Sequence, residues 1–179
     1  MIYVFLADGF EIIEAMAPVD MLRRVKLDVK TVGVTGEYVT SSNNSVIKAD
    51  ILPNEIEYDN IDAVILPGGM PGALNLEKSD VVQKCIDIAN DNYKLICAIC
   101  AAPSILGHKG LLEGKEATCF PGFEDSMKGA KLSEKYVVTD TNIITARGAG
   151  VATEFGLEIV KTICGKNVAA TLRNSIQCQ

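Results

Sequence analysis

The stretch LICAICAAPSILG, Leu95 to Gly107, runs from consecutive apolar residues straight into a string of small ones. Apolar residues at consecutive rather than alternating positions suit a strand covered on both faces. The small residues that follow, with Pro103 tolerated in a first helical turn, read as a tight bend opening a helix. The same grammar recurs outward in both directions. IYVFLA (2–7), AVIL (63–66), KLICAI (94–99) and NIITA (142–146) are apolar runs, and helical patterns cover about 10–25, 79–91, 101–108 and 151–164. In the last of these Val151, Phe155, Leu157, Ile159 and Ile163 lie mainly toward one side, and Gly165 supplies a C-cap. Alternating strands and helices predict an α/β fold, a mostly parallel sheet with helices on both faces. EYVTSSNNSVIKA (37–49) breaks the alternation and reads as an added β-hairpin about Asn43-Asn44.

No linker, repeat or low-complexity tract interrupts the 179 residues, which suit a single domain over 1–179. The net charge of −6 gives no basic footprint for a phosphate backbone and argues against nucleic acid. MIYVFLADGF has no positive n-region, and its apolar run is too short for a membrane span. Six cysteines without an export signal read as free thiols in a reducing cytoplasm. One histidine and a single C-x-x-C make zinc a poor fit, so no metal is expected.

The predicted strands run into LADGFE, LPGGMPG, ICAAPS and TARGAG. Ligand crevices in open α/β sheets lie outside the carboxyl ends of the strands, so these four loops should meet at one edge. There Ala98-x-Cys100-x-Ala102 has the small-x-nucleophile-x-small pattern of a strained strand-to-helix turn, with sulfur as the nucleophile. The start of the following helix should lower the Cys100 pKa and favour the thiolate. Cys85, Cys97 and Cys164 read as core. Odd spacing along an extended segment puts Cys97 and Cys100 on opposite faces, against a redox pair.

His108, eight residues on, lies roughly 12 Å along the helix and reads as a helix end meeting the last carbonyls. Glu14 is the better partner for the thiol. It shares a helical row with Pro18, Met21 and Val25, and a carboxyl in an apolar row near a thiolate should have a raised pKa. Glu11 then serves the helix dipole. Gly68-Gly69 allows close backbone approach, and the amides of Gly69 and Ala101 are candidate oxyanion donors.

Taken together, ADGFEIIEAMAPVDMLRR, AVILPGGMPGALNL, ICAICAAPSILG and ITARGAGVATEFGLEIV resemble the ThiJ/PfpI superfamily, in the branch of the parkinsonism-associated protein deglycase. The resemblance spans both halves of the chain in family order. It implies a flavodoxin-like three-layer α/β/α sandwich of the class I glutamine amidotransferase-like type, usually a homodimer. It also implies Cys100 as the reactive cysteine, Glu14 as its carboxyl partner, and Gly69 and Ala101 as amide donors, with Gly68, Phe120 and Arg147 in the pocket. Phe120 stands where many relatives carry histidine, and Ala101 stands where the protease-like branch does.

The function implied is a cofactor-independent glyoxalase or deglycase acting on small α-oxoaldehydes such as methylglyoxal. A non-enzymatic alternative is an oxidative-stress sensor or chaperone working through Cys100 oxidation. An amidase or peptidase would want a nearby histidine. A thiamine-pathway kinase would want a phosphate loop, and no G-x-x-x-x-G-K-[ST] exists in the sequence.

Overall fold

The computed structural model describes residues 1–178. In chain order the elements are β1 (Ile2–Leu6), α1 (Ile12–Arg24), β2 (Val29–Gly33), β3 (Tyr38–Thr40), β4 (Val46–Lys48), β5 (Ala63–Leu66), α2 (Gly72–Glu77) and α3 (Asp80–Asp91). There follow β6 (Leu95–Ile99), α4 (Pro103–His108), β7 (Glu116–Ala117), β8 (Lys131–Leu132), β9 (Val137–Asp140), β10 (Ile143–Ala146), α5 (Ala152–Cys164) and α6 (Lys166–Ser175). One sheet carries the order β2-β1-β5-β6-β10-β9, parallel throughout except for β9, which runs antiparallel to β10 at the edge. The expected hairpin is the antiparallel pair β3–β4.

Each central strand sends alternate side chains into two separate apolar layers, which is why its sequence is apolar without a break. Val4 and Leu6 of β1, Ile65 of β5 and Cys97 and Ile99 of β6 join the layer beneath α1, α5 and α6. Tyr3, Phe5, Val64, Leu66, Ile96 and Ala98 join the layer that takes Val82 and Ile86 from α3 and Ile105 from α4. The architecture is therefore the α/β sandwich the alternation predicts. No helix among the described residues is long and apolar enough to cross a membrane.

Several elements differ from the sequence reading. β2, β7, β8, β9, α2 and α6 are not signalled by the sequence pattern: VKTVG and VVTD are short and mix polar with apolar residues, β7 and β8 have two residues each, and α6 begins directly after the Gly165 stop. The segment 101–108 is helical only from Pro103, with Ala101 and Ala102 in the turn before it. In α5 the buried face runs through Ala152, Phe155, Gly156, Leu157, Ile159 and Val160. Ile163 is exposed instead, and Cys164, at the helix end, is only partly buried.

Candidate active site

Helix α1 begins where the Glu11 side chain accepts the Glu14 amide at 2.8 Å, an N-cap that frees Glu14 to point elsewhere. Glu14 turns inward and is 1% exposed, in the same buried face as Pro18 and Met21. Val25, the fourth member of the predicted row, lies just past the helix end and is half-buried.

Strand β6 stops at Ile99, and Cys100 takes a left-handed backbone with φ 66°. For a residue with a side chain that conformation costs about 1–2 kcal/mol, and it persists only where neighbours hold it. They do so here. The Cys100 N–H donates to the Ala146 carbonyl at 2.9 Å, and its own carbonyl accepts the Phe120 N–H at 2.9 Å. The bend also overturns the face argument made for Cys97 and Cys100. The two-residue period ends at Ile99, so both cysteines pack against the same layer. What separates them is burial: Cys97 is completely enclosed and its thiol is pushed far up, whereas Cys100 is half-buried.

The loop after β5 closes the site from the third side. The Gly68 N–H donates to Glu14 Oε2 at 2.9 Å, and its carbonyl accepts the Glu11 N–H at 3.0 Å. A Cβ on Gly69, whose φ is +88°, would lie 2.4 Å from the Glu11 nitrogen. No residue but glycine fits against that backbone. The Cys100 thiol and the Ala149 amide, from the loop after β10, also face the Glu14 carboxyl and pull its pKa down. All four strand-end loops thus meet around one carboxyl.

Electrostatics departs from the sequence reading at the sulfur. Burial raises the Glu14 carboxyl to about 7, against the pull of its bonds to Cys100, Gly68 and Ala149. Burial also pushes the Cys100 thiol up to about 12, helped by the facing Glu14 carboxylate and opposed by the amides of Gly69 and Ala101. The expected depression by a helix end does not materialise, because α4 is a six-residue helix that starts three residues on. Two acids facing each other titrate as a coupled pair, and above about 7 one proton remains between them. When it sits on sulfur the carboxylate suppresses ionisation. When it moves to Glu14 that repulsion vanishes, and the two amides remain to hold the thiolate.

The predicted donors Gly69 and Ala101 are directed at the sulfur itself. Gly68, placed in the pocket by resemblance, spends its amide on Glu14. His108 closes α4 as expected, but its Nδ1 meets Glu77 Oε1 at 2.5 Å rather than the last carbonyls, and it takes no part in the site. Phe120 and Arg147 line an open cleft of about 720 Å³ with Pro121, Tyr136 and the Gly148–Val151 segment. Sequence reasoning missed Gly148, Ala149 and Tyr136. The sequence places TARGAG at the crevice, but nothing in its pattern tells which amide turns to Glu14. Among the described residues, no group of three or more His, Cys, Asp or Glu side chains is disposed to hold a metal ion.

The DJ-1/PfpI family pattern matches residues 1–162. This chain belongs to the DJ-1/PfpI family. It is 38% identical over 175 residues to the Parkinson disease protein 7 homolog of Danio rerio, covering 95% of this chain and 93% of that one. It is 32% identical over 157 residues to the glutathione-independent glyoxalase DJR-1.2 of Caenorhabditis elegans, covering 87% and 83% of the two chains. An oxidized DJ-1 structure from Toxoplasma gondii superposes with a TM-score of 0.95 at 32% identity, covering 99% of this chain and 97% of that one. The DJ-1/PfpI family thus includes a glyoxalase, and this member shares its fold over nearly the whole chain.

Proposed function

We propose that this DJ-1/PfpI protein is a cofactor-independent glyoxalase or deglycase that isomerises and hydrates small α-oxoaldehydes such as methylglyoxal, with Cys100 as nucleophile and Glu14 as proton carrier. The observation that carries the reading is a buried carboxyl, pushed up toward neutrality by its burial, facing a sulfur on a strained turn. A base with a pKa close to the working pH is the efficient kind.

The sulfur attacks the aldehyde carbon while its proton passes to Glu14, forming a C–S bond and an alkoxide. Glu14 returns the proton to that oxygen, which leaves a hemithioacetal and a free carboxylate. The Gly69 and Ala101 amides, directed at the sulfur, are the donors available to the new oxygen beside it. Glu14 then removes the hydrogen from the hemithioacetal carbon, giving an enediolate, and delivers it to the neighbouring carbon as the hydroxyl proton of the first carbon passes to the adjacent oxygen. The first carbon is oxidised to a thioester as the second is reduced to an alcohol, so no outside oxidant enters. Water cleaves the thioester, releasing the 2-hydroxy acid and the thiol.

Lactate formation from methylglyoxal by wild type, Cys100→Ala and Glu14→Gln tests this. Both substitutions should cost at least about a hundredfold in kcat while the protein stays folded. Full turnover by Cys100→Ala overturns the mechanism.

A sensor or chaperone role through Cys100 oxidation has one specific support. The two amides and a protonated Glu14 offer three donors to an oxidised sulfur. Selective gain of mass at Cys100 under peroxide, with no lactate formed, favours that role instead. A homodimer in the cytoplasm belongs with either reading. Light scattering after gel filtration, at twice the chain mass of 19.2 kDa, checks it.

A further inference from the structure

The chain has four arginines. Arg23 pairs with Asp50, Arg24 with Asp20 and Arg173 with Glu154. Arg147 is different. Its guanidinium stands over the Tyr136 ring, 5.7 Å from the centroid, and no carboxylate among the described residues forms an ion pair with it. Half-buried cations are ordinarily matched, since removing one from water without a counter-charge costs free energy. Its backbone is fixed as firmly as the side chain is left open. The Arg147 N–H donates to the Tyr136 carbonyl at 3.0 Å, at the end of the β9–β10 pairing.

The position of this cation relative to the reactive pair gives it meaning. Arg147, Tyr136, Phe120 and Gly148 line the same cleft. A Cβ on Gly148 would lie 3.1 Å from the Phe120 ring and 3.8 Å from Glu14 Oε1. The cleft wall therefore passes within one residue of the carboxyl, with Arg147 as the next residue back. Methylglyoxal, with three carbons, leaves most of a 720 Å³ cleft empty and offers nothing to a guanidinium.

The geometry points to Arg147 as the anchor of an anion subsite, making the preferred substrates α-oxoaldehydes whose far end carries a carboxylate on a short carbon spacer. This rests on the glyoxalase reading for the reaction and extends it to the substrate class. The aldehyde sits at Cys100, the spacer lies against Phe120 and Tyr136, and the carboxylate meets the guanidinium in the planar geometry that arginine matches best.

Two measurements test it, one of which needs no turnover. The first compares kcat/KM for 4,5-dioxopentanoate and for its uncharged methyl ester. Wild type should favour the acid by at least about tenfold, Arg147→Gln should bring the ratio near one, and Arg147→Lys should restore part of it. An equal ratio in wild type and Arg147→Gln overturns the subsite. The second follows alkylation of Cys100 by iodoacetamide in the presence of 4-oxopentanoate, a keto acid without the aldehyde, with pentan-2-one as the neutral control. The keto acid should protect wild type and fail to protect Arg147→Gln. If no oxoaldehyde is turned over yet this protection depends on Arg147, the subsite stands and the glyoxalase reading falls. If protection is absent or independent of Arg147, the subsite falls.

Discussion

The Gly68 amide donates to Glu14 Oε2 at 2.9 Å, and a Cβ on Gly68 would lie 2.7 Å from both that oxygen and the Cys100 Cβ. One residue therefore supplies a donor to the carboxyl and leaves the gap through which carboxyl and thiol meet. Gly68→Ala should separate the pair without removing either member. The Ile99 carbonyl, 2.9 Å from the same added carbon, blocks retreat in the other direction. We expect at least about tenfold loss of Cys100 alkylation rate at pH 7, with a destabilisation of about 1–3 kcal/mol in urea titration. A variant as reactive as wild type would show that contact between the two groups is not what activates the sulfur.

The shared proton makes a prediction about reactivity against pH. Below about 7 the Glu14 carboxyl is protonated and cannot take the thiol proton; above it the carboxylate can. Alkylation of wild-type Cys100 should rise through an inflexion near pH 7, level off, and climb again only as the thiol itself ionises toward about 12. In Glu14→Gln the first inflexion should vanish while the alkaline limb remains. Stopped alkylation with mass readout across pH 5–10 checks it, and an inflexion that survives in the variant assigns it to another group.

Stability carries the same signature with a definite sign. Burial raises the Glu14 carboxyl from 4.5 to about 7, so between those values the folded chain binds more protons at this site than the unfolded one. Unfolding free energy then falls as pH rises through that window, by up to about 3 kcal/mol from this group. The contribution is full below about 4.5 and gone above about 7. Urea titrations of wild type and Glu14→Gln at pH 5 and pH 8 isolate it, because the altered hydrogen bonding of the amide is common to both pH values. Wild type should lose more stability than the variant between the two. The opposite slope would mean that the carboxylate is the better-accommodated form in the fold.

Strands whose residues are apolar without interruption announced themselves in the sequence, and so did the loops at their ends. β2 and β9 did not, since each lies at a sheet margin where polar residues such as Lys30 and Thr139 are tolerated. The candidate pair was legible for physical reasons of two kinds. Small residues around Cys100 marked a bend, and the apolar row through Pro18 and Met21 marked a carboxyl facing inward. The charge state of the sulfur was not legible. It depends on how deeply two groups, one on α1 and one just past β6, 86 positions apart, are buried against each other, and on four amides from three loops. Ala149 illustrates the limit: a backbone N–H is the same in every sequence, and only the fold aims it.

Gly156 couples the packing of two helices to the chemistry. α1 and α5 lie side by side over the sheet, and a Cβ on Gly156 would fall 2.9 Å from Met21 Cγ and 3.0 Å from the Pro18 Cα. The side chain of Met21 can move, but the backbone at Pro18 cannot do so without shifting α1. Pro18 is one turn beyond Glu14 and lacks the N–H that would have tied it to the Glu14 carbonyl, so this part of α1 is held by packing more than by its own hydrogen bonds. Gly156→Val should therefore cost about 2–3 kcal/mol through overpacking. It should also weaken the inflexion of Cys100 alkylation near pH 7, because α1 carries the carboxyl away from the sulfur as it moves. If stability falls while the alkylation profile stays unchanged, Glu14 is positioned by its loop contacts alone and the α1–α5 packing is only structural.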